Sequence, residues 1–413
     1  MQQFISKSIL TKMFLKKGHS IALMGLLFSF SHGVFAQLGQ QKGMITTTVP
    51  FLIVPPESRA SGMGDAGVAT SPDANSTHWN PSKIAFIDKD YGASLSYSPW
   101  LRNIVPDMSL SYISGYYRLR KQDVVAASIR YFNLGTLQLT NGQGASLGDQ
   151  NPREFAIDVS YARQLSKRFS MGVTGRFFQS ALVSQNTQGI GTATPASSAA
   201  VDISMFYSKP NIMLGGLNTT FAWGVNISNI GPRITYTNQK EQDFIPSNLR
   251  IGTALTGDFD EYNRLTLAVD FNKLLVPTPT YIKNSQGLDS ALVRDPNQSL
   301  LGAIAKSTYD APGGFSEKLR EFQISVGLEY WYNKLLSIRT GYFYEDATKG
   351  NRNYLTVGGG IRYQMFGLDF AYMLPQGTNH PLANTFRFTL AFNFVKSGKK
   401  SENDVPAETV PTN

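Results

Sequence analysis

The feature that most narrows what this chain can fold into is a segment of about ten residues, repeated along its length, with a large apolar side chain at every second position. Toward the C-terminus Phe386, Phe388, Leu390, Phe392 and Phe394 alternate with Arg387, Thr389, Ala391 and Asn393. Earlier, Phe322, Ile324, Val326, Leu328 and Tyr330 alternate with Gln323, Ser325, Gly327 and Glu329, and Leu265, Leu267, Val269 and Phe271 with Thr266, Ala268 and Asp270. Successive side chains of a strand point to opposite faces, so each segment sorts into one apolar and one polar face. A soluble sandwich shares the period, but it rarely keeps five outward positions in a row large and apolar with charge on the facing side. A strand that crosses a bilayer does so naturally, because lipid-facing and lumen-facing residues alternate and closure satisfies every backbone group. After Ala36 no window approaches the ~20 apolar residues of a spanning helix. The pattern predicts an all-β protein, a transmembrane antiparallel β-barrel.

Fourteen such segments are read from the alternation: 91–98, 108–118, 123–133, 154–164, 169–182, 199–208, 218–230, 247–257, 263–273, 321–332, 335–345, 354–363, 366–374 and 384–395. An even number suits a closed bacterial barrel. Connections alternate in length. Residues 119–122, 165–168, 333–334 and 364–365 are short turns, whereas 134–153, 183–198, 231–246 and above all 274–320 are long. Outer-membrane barrels have short periplasmic turns and longer extracellular loops, so both barrel ends are expected in the periplasm and the long loops outside. One connection, 209–217, is too long for its class.

The chain divides into four parts. Lys7, Lys12, Lys16 and Lys17, the apolar run 21–30 and the small residues before Gln37 have the form of a secretory signal peptide over 1–36, cleaved after Ala36. Residues 37–90 carry Pro, Gly and small side chains without alternation and are expected to form a plug or hatch. The barrel spans 91–395, and the polar stretch 396–413 reads as a disordered periplasmic tail. Removing the four lysines lowers the formal charge from +9 to +5, a modest excess that suits anionic lipid and argues for no nucleic-acid partner.

The chain has no cysteine, which excludes disulfides, thiolate metal sites and cysteine nucleophiles. Only His78 and His380 survive processing, and neither sits in a spacing that argues for catalysis or metal binding. Gly62, Gly64 and Gly67 satisfy the dinucleotide fingerprint, but Pro55, Pro56 and Pro72 surround them and no βαβ unit follows, so tight packing is the better reading. Gly358, Gly359 and Gly360 interrupt a strand and mark a bend or a close approach. No enzyme, cofactor or metal is expected.

The stretch TVPFLIVPPESRASGMGDAGVATSPDANSTHWNPSKIAF, residues 48–86, resembles the N-terminal hatch of the FadL superfamily of outer-membrane transporters, whose Asn-Pro-Ala motif reads Asn80-Pro81-Ser82 here. The resemblance is closer still to the PorV-like proteins, FadL-like outer-membrane components of the type IX secretion system of the Bacteroidetes. It extends through residues 94–112 and 127–135 and covers the mature chain, with the tail after Phe394 as a departure from a barrel-ending aromatic. It implies fourteen strands and a job without chemistry. The protein would bind secreted clients through their C-terminal signal domains after translocation. It would pass them to the surface-attachment complex with its sortase, and it would associate with the translocon barrel. The FadL-like alternative is a passive transporter of hydrophobic small molecules.

The face assignment turns Arg130, Asp158, Arg176, Arg250, Asp270, Glu329, Arg339, Arg362, Asp369 and Arg387 inward. Mixed charges inside a barrel are expected to pair with one another and with the hatch; the excess of arginine leaves an anion-lined or peptide-lined passage as the second reading. Among outward anchors, Trp100 and Leu101 in the first outer loop are candidate client contacts, with an aromatic-girdle role as the plainer reading for Trp100. The long loop 274–320, far beyond the ~12–15 residues of an ordinary loop, has the Leu, Val, Pro and Tyr content to hold a polypeptide.

Overall fold

The computed structural model describes residues 44–101, 105–182, 194–236, 242–283, 289–293, 298–376 and 385–395. The expected signal peptide, the tail 396–413 and His380 lie outside them. Within them, fourteen strands close into one antiparallel barrel. They are β1 (Tyr91–Pro99), β2 (Ser109–Arg118), β3 (Asp123–Asn133), β4 (Arg153–Gln164), β5 (Phe169–Ala181), β6 (Ala196–Leu214), β7 (Leu217–Ile230), β8 (Asn248–Asp258), β9 (Asn263–Leu274), β10 (Gln323–Tyr332), β11 (Leu336–Tyr344), β12 (Tyr354–Tyr363), β13 (Phe366–Pro375) and β14 (Phe386–Phe394). Each pairs with its neighbours in the chain, and β1 closes on β14 with Tyr91 opposite Phe394 and Tyr97 opposite Phe388. No helix among the described residues is long and apolar enough to cross a membrane.

Alternation decides which way each strand faces. In β14 Phe386, Phe388 and Leu390 lie on the outer surface, while Arg387 and Thr389 are buried against the interior. Large apolar side chains on the outside would be costly in water, and a lipid belt makes their exposure favourable.

The connection 209–217 is not a loop. β6 continues through it, and Gly215 and Gly216, at φ 58° and 85°, make the two-residue turn into β7. Positive φ at both central residues is the type I′ geometry whose twist matches the flanking strands. Pro210 lacks a backbone donor and Asn211 sits at φ 58°, and the pairing register shifts between Lys209 and Ile212. The shift breaks the alternation, which made the segment read as a loop.

Connections at the other end carry structure of their own. Leu137–Thr140 pairs with Ser146–Gln150, and Thr280–Lys283 with Asp289–Val293. The longest connection also holds two short helices, Leu300–Lys306 and Gly314–Arg320.

Ahead of β1, residues 44–90 fold into 3-10 turns at Pro50–Ile53 and Pro81–Phe86 and single helical turns at Ser58–Ser61 and Ser76–Trp79. The segment bonds to the inner faces of strands all round the barrel. Its Ser58 N–H donates to Thr389 Oγ1 of β14 at 3.0 Å and its Gly64 N–H to Thr356 Oγ1 of β12 at 2.8 Å. Asn226 Nδ2 of β7 donates to the Trp79 carbonyl at 3.1 Å. Glycine makes the approach possible. A Cβ on Gly341 of β11 would fall 2.1 Å from the Met63 carbonyl carbon, and Gly64 itself has φ +67°.

Candidate functional site

Six of the ten inward-assigned charges, Asp158, Arg176, Glu329, Arg339, Arg362 and Asp369, fall into two ion-paired groups. Arg176 of β5 donates from Nε to Asp158 of β4 at 2.6 Å and from Nη2 to Asp202 of β6 at 3.0 Å. A second group joins the wall to the N-terminal segment. Glu329 accepts from Arg59 Nη2 at 2.8 Å and from Arg339 Nε at 2.7 Å; Arg339 reaches Asp369 at 2.8 Å, and Asp369 also accepts from Arg362 at 2.7 Å. All of these side chains are buried except Arg362, which is partly exposed at the short-turn end. Removing one partner from such a group leaves an uncompensated buried charge at ~3–5 kcal/mol.

The remaining interior charges serve the N-terminal segment differently. Asp270 accepts from the backbone N–H of Gly67 at 2.7 Å and of Val68 at 2.8 Å. Arg130 donates to the Phe51 carbonyl at 2.8 Å, to the Leu52 carbonyl at 2.5 Å and to His78 Nδ1 at 2.6 Å. Arg250 donates to the His78 carbonyl at 3.1 Å and lies over the Trp79 ring. His78 thus stands packed between two guanidiniums. Arg387 rests on the Trp100 ring, and its Nε and Nη2 have no hydrogen-bond partner among the described residues.

Asn80, Pro81 and Ser82 form a knot at the join between two turns. Asn80 is fully buried; its Oδ1 accepts from Ser82, and its Nδ2 donates to the Val68 carbonyl at 3.2 Å and to the Met205 carbonyl of β6 at 3.0 Å. Pro81 supplies the fixed φ of a first helical position. One amide side chain therefore caps the next turn, holds the neighbouring loop and ties both to the wall.

Trp100 is a correction. It is buried, 9% exposed, in a cluster with Phe51, Leu110 and Phe132, and Leu101 packs against the same cluster at φ 46°. Neither residue offers the exposed anchor expected of it, and Trp100 does not sit in an outer girdle. Its N–H donates to the Met108 carbonyl at 3.0 Å, which continues the β1–β2 pairing and keeps the ring on the inward side.

The exposed anchors lie on the longest connection. Helix Gly314–Arg320 turns Phe315, 78% exposed, and Leu319, 56% exposed, to solvent, one helical turn apart on one face. Leu301 and Tyr309 are exposed beside them in the chain. Lys318 is buried and bonds Asp310 at 2.6 Å and Glu321 at 3.0 Å, and Glu321 also takes Lys273 of β9. Lys349 bonds Glu317 at 2.6 Å. Burial opposes ionisation of Glu317, but Lys349 and the Gly313 N–H outweigh it and hold the carboxyl below its ordinary range. On this helix Lys318 is buried while Phe315 and Leu319 are exposed, and ion pairs hold Lys318 inside. Between this platform and residues 44–53 lies a cavity of about 370 Å³ whose lining includes Ile45, Ile53, Glu321, Glu345, Lys349 and Arg352. A second, about 320 Å³, opens at the short-turn end beside Arg59, Asp73, Trp331 and Arg362.

Asp202, absent from the inward set expected from the sequence, shares inward parity with Ser204; Arg59 and the helix Gly314–Arg320 lie where no periodicity exists to place them.

Residues 37–281, more than half of the chain, match the family model for the type IX secretion system protein PorV. No curated protein matches the chain. Among solved structures the fold is similar to that of the TodX deltaS2S3 mutant monoaromatic hydrocarbon channel, at 12% identity over 82% of this chain and 99% of that one, TM-score 0.50. The Ralstonia pickettii toluene transporter TbuX (10% identity, 82% and 98% covered, TM-score 0.47) and a Pseudomonas aeruginosa FadL homologue (12%, 86% and 100%, 0.44) are also similar. At these identities the likeness concerns the fold.

Proposed function

The chain belongs to the PorV family of type IX secretion system proteins, and from that premise we propose that it binds secreted client proteins at the outer face and delivers them to the surface-attachment complex. In this reading the barrel is integral to the outer membrane, with the short turns in the periplasm and the long loops outside. Clients that have crossed through the translocon barrel are recognised by their C-terminal signal domains and handed to the sortase-bearing complex. Residues 44–90 act as a hatch, and no chemistry is assigned to the chain.

One observation carries the reading: large apolar side chains face outward on the longest connection while Lys318, its buried cation, is ion-paired inside. Phe315 and Leu319 share one helix face, and Tyr309 and Leu301 of the same connection are exposed as well, with ion pairs beneath. Preformed aromatic anchors of this kind are the composition of a binding hot spot, where truncation commonly costs ≥ ~2 kcal/mol. Passive transport, the alternative, would require residues 44–90 to leave their bonds to the wall.

The test is the double variant Phe315→Ser, Leu319→Ser. The barrel should fold as before, judged by heat-modifiable migration, and recovery of clients with the purified protein should fall at least ~10-fold. Unchanged client recovery from this variant would remove the platform from the account.

A further inference from the structure

The hairpin that joins β6 to β7 is the place where the short-turn end departs from the outline of the barrel. Pairing of β6 with β5 ends at Tyr207 opposite Phe169, followed by one bond from the Ser208 N–H to the Arg168 carbonyl at 2.9 Å. β6 then runs on to Leu214 with only β7 beside it, Met213 opposite Asn218 and Leu214 opposite Leu217.

The aromatic belt gives the level of the lipid surface. Tyr207, Trp223 and Phe169 stand together on the outer wall, with centroids 6.0 and 6.4 Å apart, as rings do at headgroup depth. From Tyr207 to Leu214 the strand covers ~23 Å, or roughly 16 Å along the membrane normal at a ~45° tilt. The interfacial layer is only ~5–8 Å deep. Met213, 69% exposed, and Leu214, 55% exposed, therefore stand in water beyond the lipid, where nothing in the described residues covers them.

The surroundings are basic on one side only. Arg120 and Lys121 lie exposed on the β2–β3 turn, Lys167 and Arg168 on the β4–β5 turn, and Lys209 on the arm itself. Residues 118–122, 164–169 and 209–218 contain no acid, whereas the β8–β9 turn on the other flank carries Asp258, Asp260 and Glu261. Pro210, with no N–H, and the register shift beside it blunt the free edge of the arm against strand addition. Recognition is left to side chains.

We propose that the β6–β7 hairpin is a docking arm for an acidic periplasmic protein, which receives Met213 and Leu214 in an apolar pocket and sets its acids against the Lys167–Arg168 turn. The projection past the headgroups is what favours a protein over anionic phospholipid. The inference rests on the orientation proposed above, with the short turns in the periplasm.

A photoreactive p-benzoylphenylalanine placed at position 213 of the full-length protein, in living cells, tests it. The expected result is a discrete protein adduct whose yield falls ~10-fold or more in the Lys167→Glu, Arg168→Glu background and is kept in Asp260→Asn, Glu261→Gln. Adducts to lipid alone, no adduct, or a protein adduct indifferent to the charge reversal would each overturn the docking arm. Heat-modifiable migration confirms that each variant folds. A Leu214→Cys variant separates the two layers of the argument. Labelling by a membrane-impermeant maleimide only after the outer membrane is opened supports the orientation. Labelling on intact cells would overturn the orientation itself, and the secretion reading with it.

Discussion

Glu329 is the residue on which the wall and the N-terminal segment depend together, since Arg59 and Arg339 both donate to its carboxylate inside the barrel. Glu329→Ala should leave two buried guanidiniums short of an acceptor and cost ~3–5 kcal/mol. Arg163→Ala is the contrast, because Arg163 is half-exposed and 3.6 Å from Asp123, and its loss should cost no more than ~1 kcal/mol. Temperature-dependent loss of the heat-modifiable form measures both; equal losses would mean that the interior group is not load-sharing. The inward charges were legible in the sequence because alternation assigns a side to every strand residue. The same parity runs from Ser94, Ser96 and Ser98 to Trp100, all buried, so the inward ring of Trp100 was legible too. It was misread because the first segment was read to stop at residue 98 and Trp100 was placed in the outer loop, although Trp100 still bonds across to Met108. Arg59 and His78 had no such signal: their segment turns every few residues, and only tertiary contacts give it an inside.

At the scale of elements, what a strand exposes depends on the medium beside it. Leu390 in β14 and Leu319 on the outer helix are both exposed, at 45% and 56%, yet one is read as facing lipid and the other water. Leu390→Arg should cost ~2–4 kcal/mol of barrel stability, as charges do at the midplane. Leu319→Arg should leave the folded fraction within ~0.5 kcal/mol. Urea titration of the protein in lipid vesicles distinguishes them, and similar midpoints for the two variants would place Leu390 outside the lipid band. All fourteen strands were found from alternation, since period two survives wherever one face is apolar. The arm at 209–214 was lost because a register shift resets the count. The helix Gly314–Arg320 was hidden for another reason: it exposes Phe315 and Leu319 and buries Lys318, so a pattern read for burial points the wrong way.

The whole molecule is asymmetric from end to end. Long connections with their own hairpins and helices crowd one mouth, while short turns and one projecting arm mark the other. Between them, residues 44–90 are bonded to strands all round the barrel. The fold and its strand number follow from the chain's periodicity; the use made of it comes from family membership and from the exposed platform. The most direct measurement is the fate of secreted proteins in cells that lack this gene. The account predicts that they lose surface attachment and appear in the medium or accumulate in the periplasm, while growth on a long-chain hydrophobic nutrient is unchanged. Normal surface placement of the secreted proteins, together with loss of that growth, would contradict it.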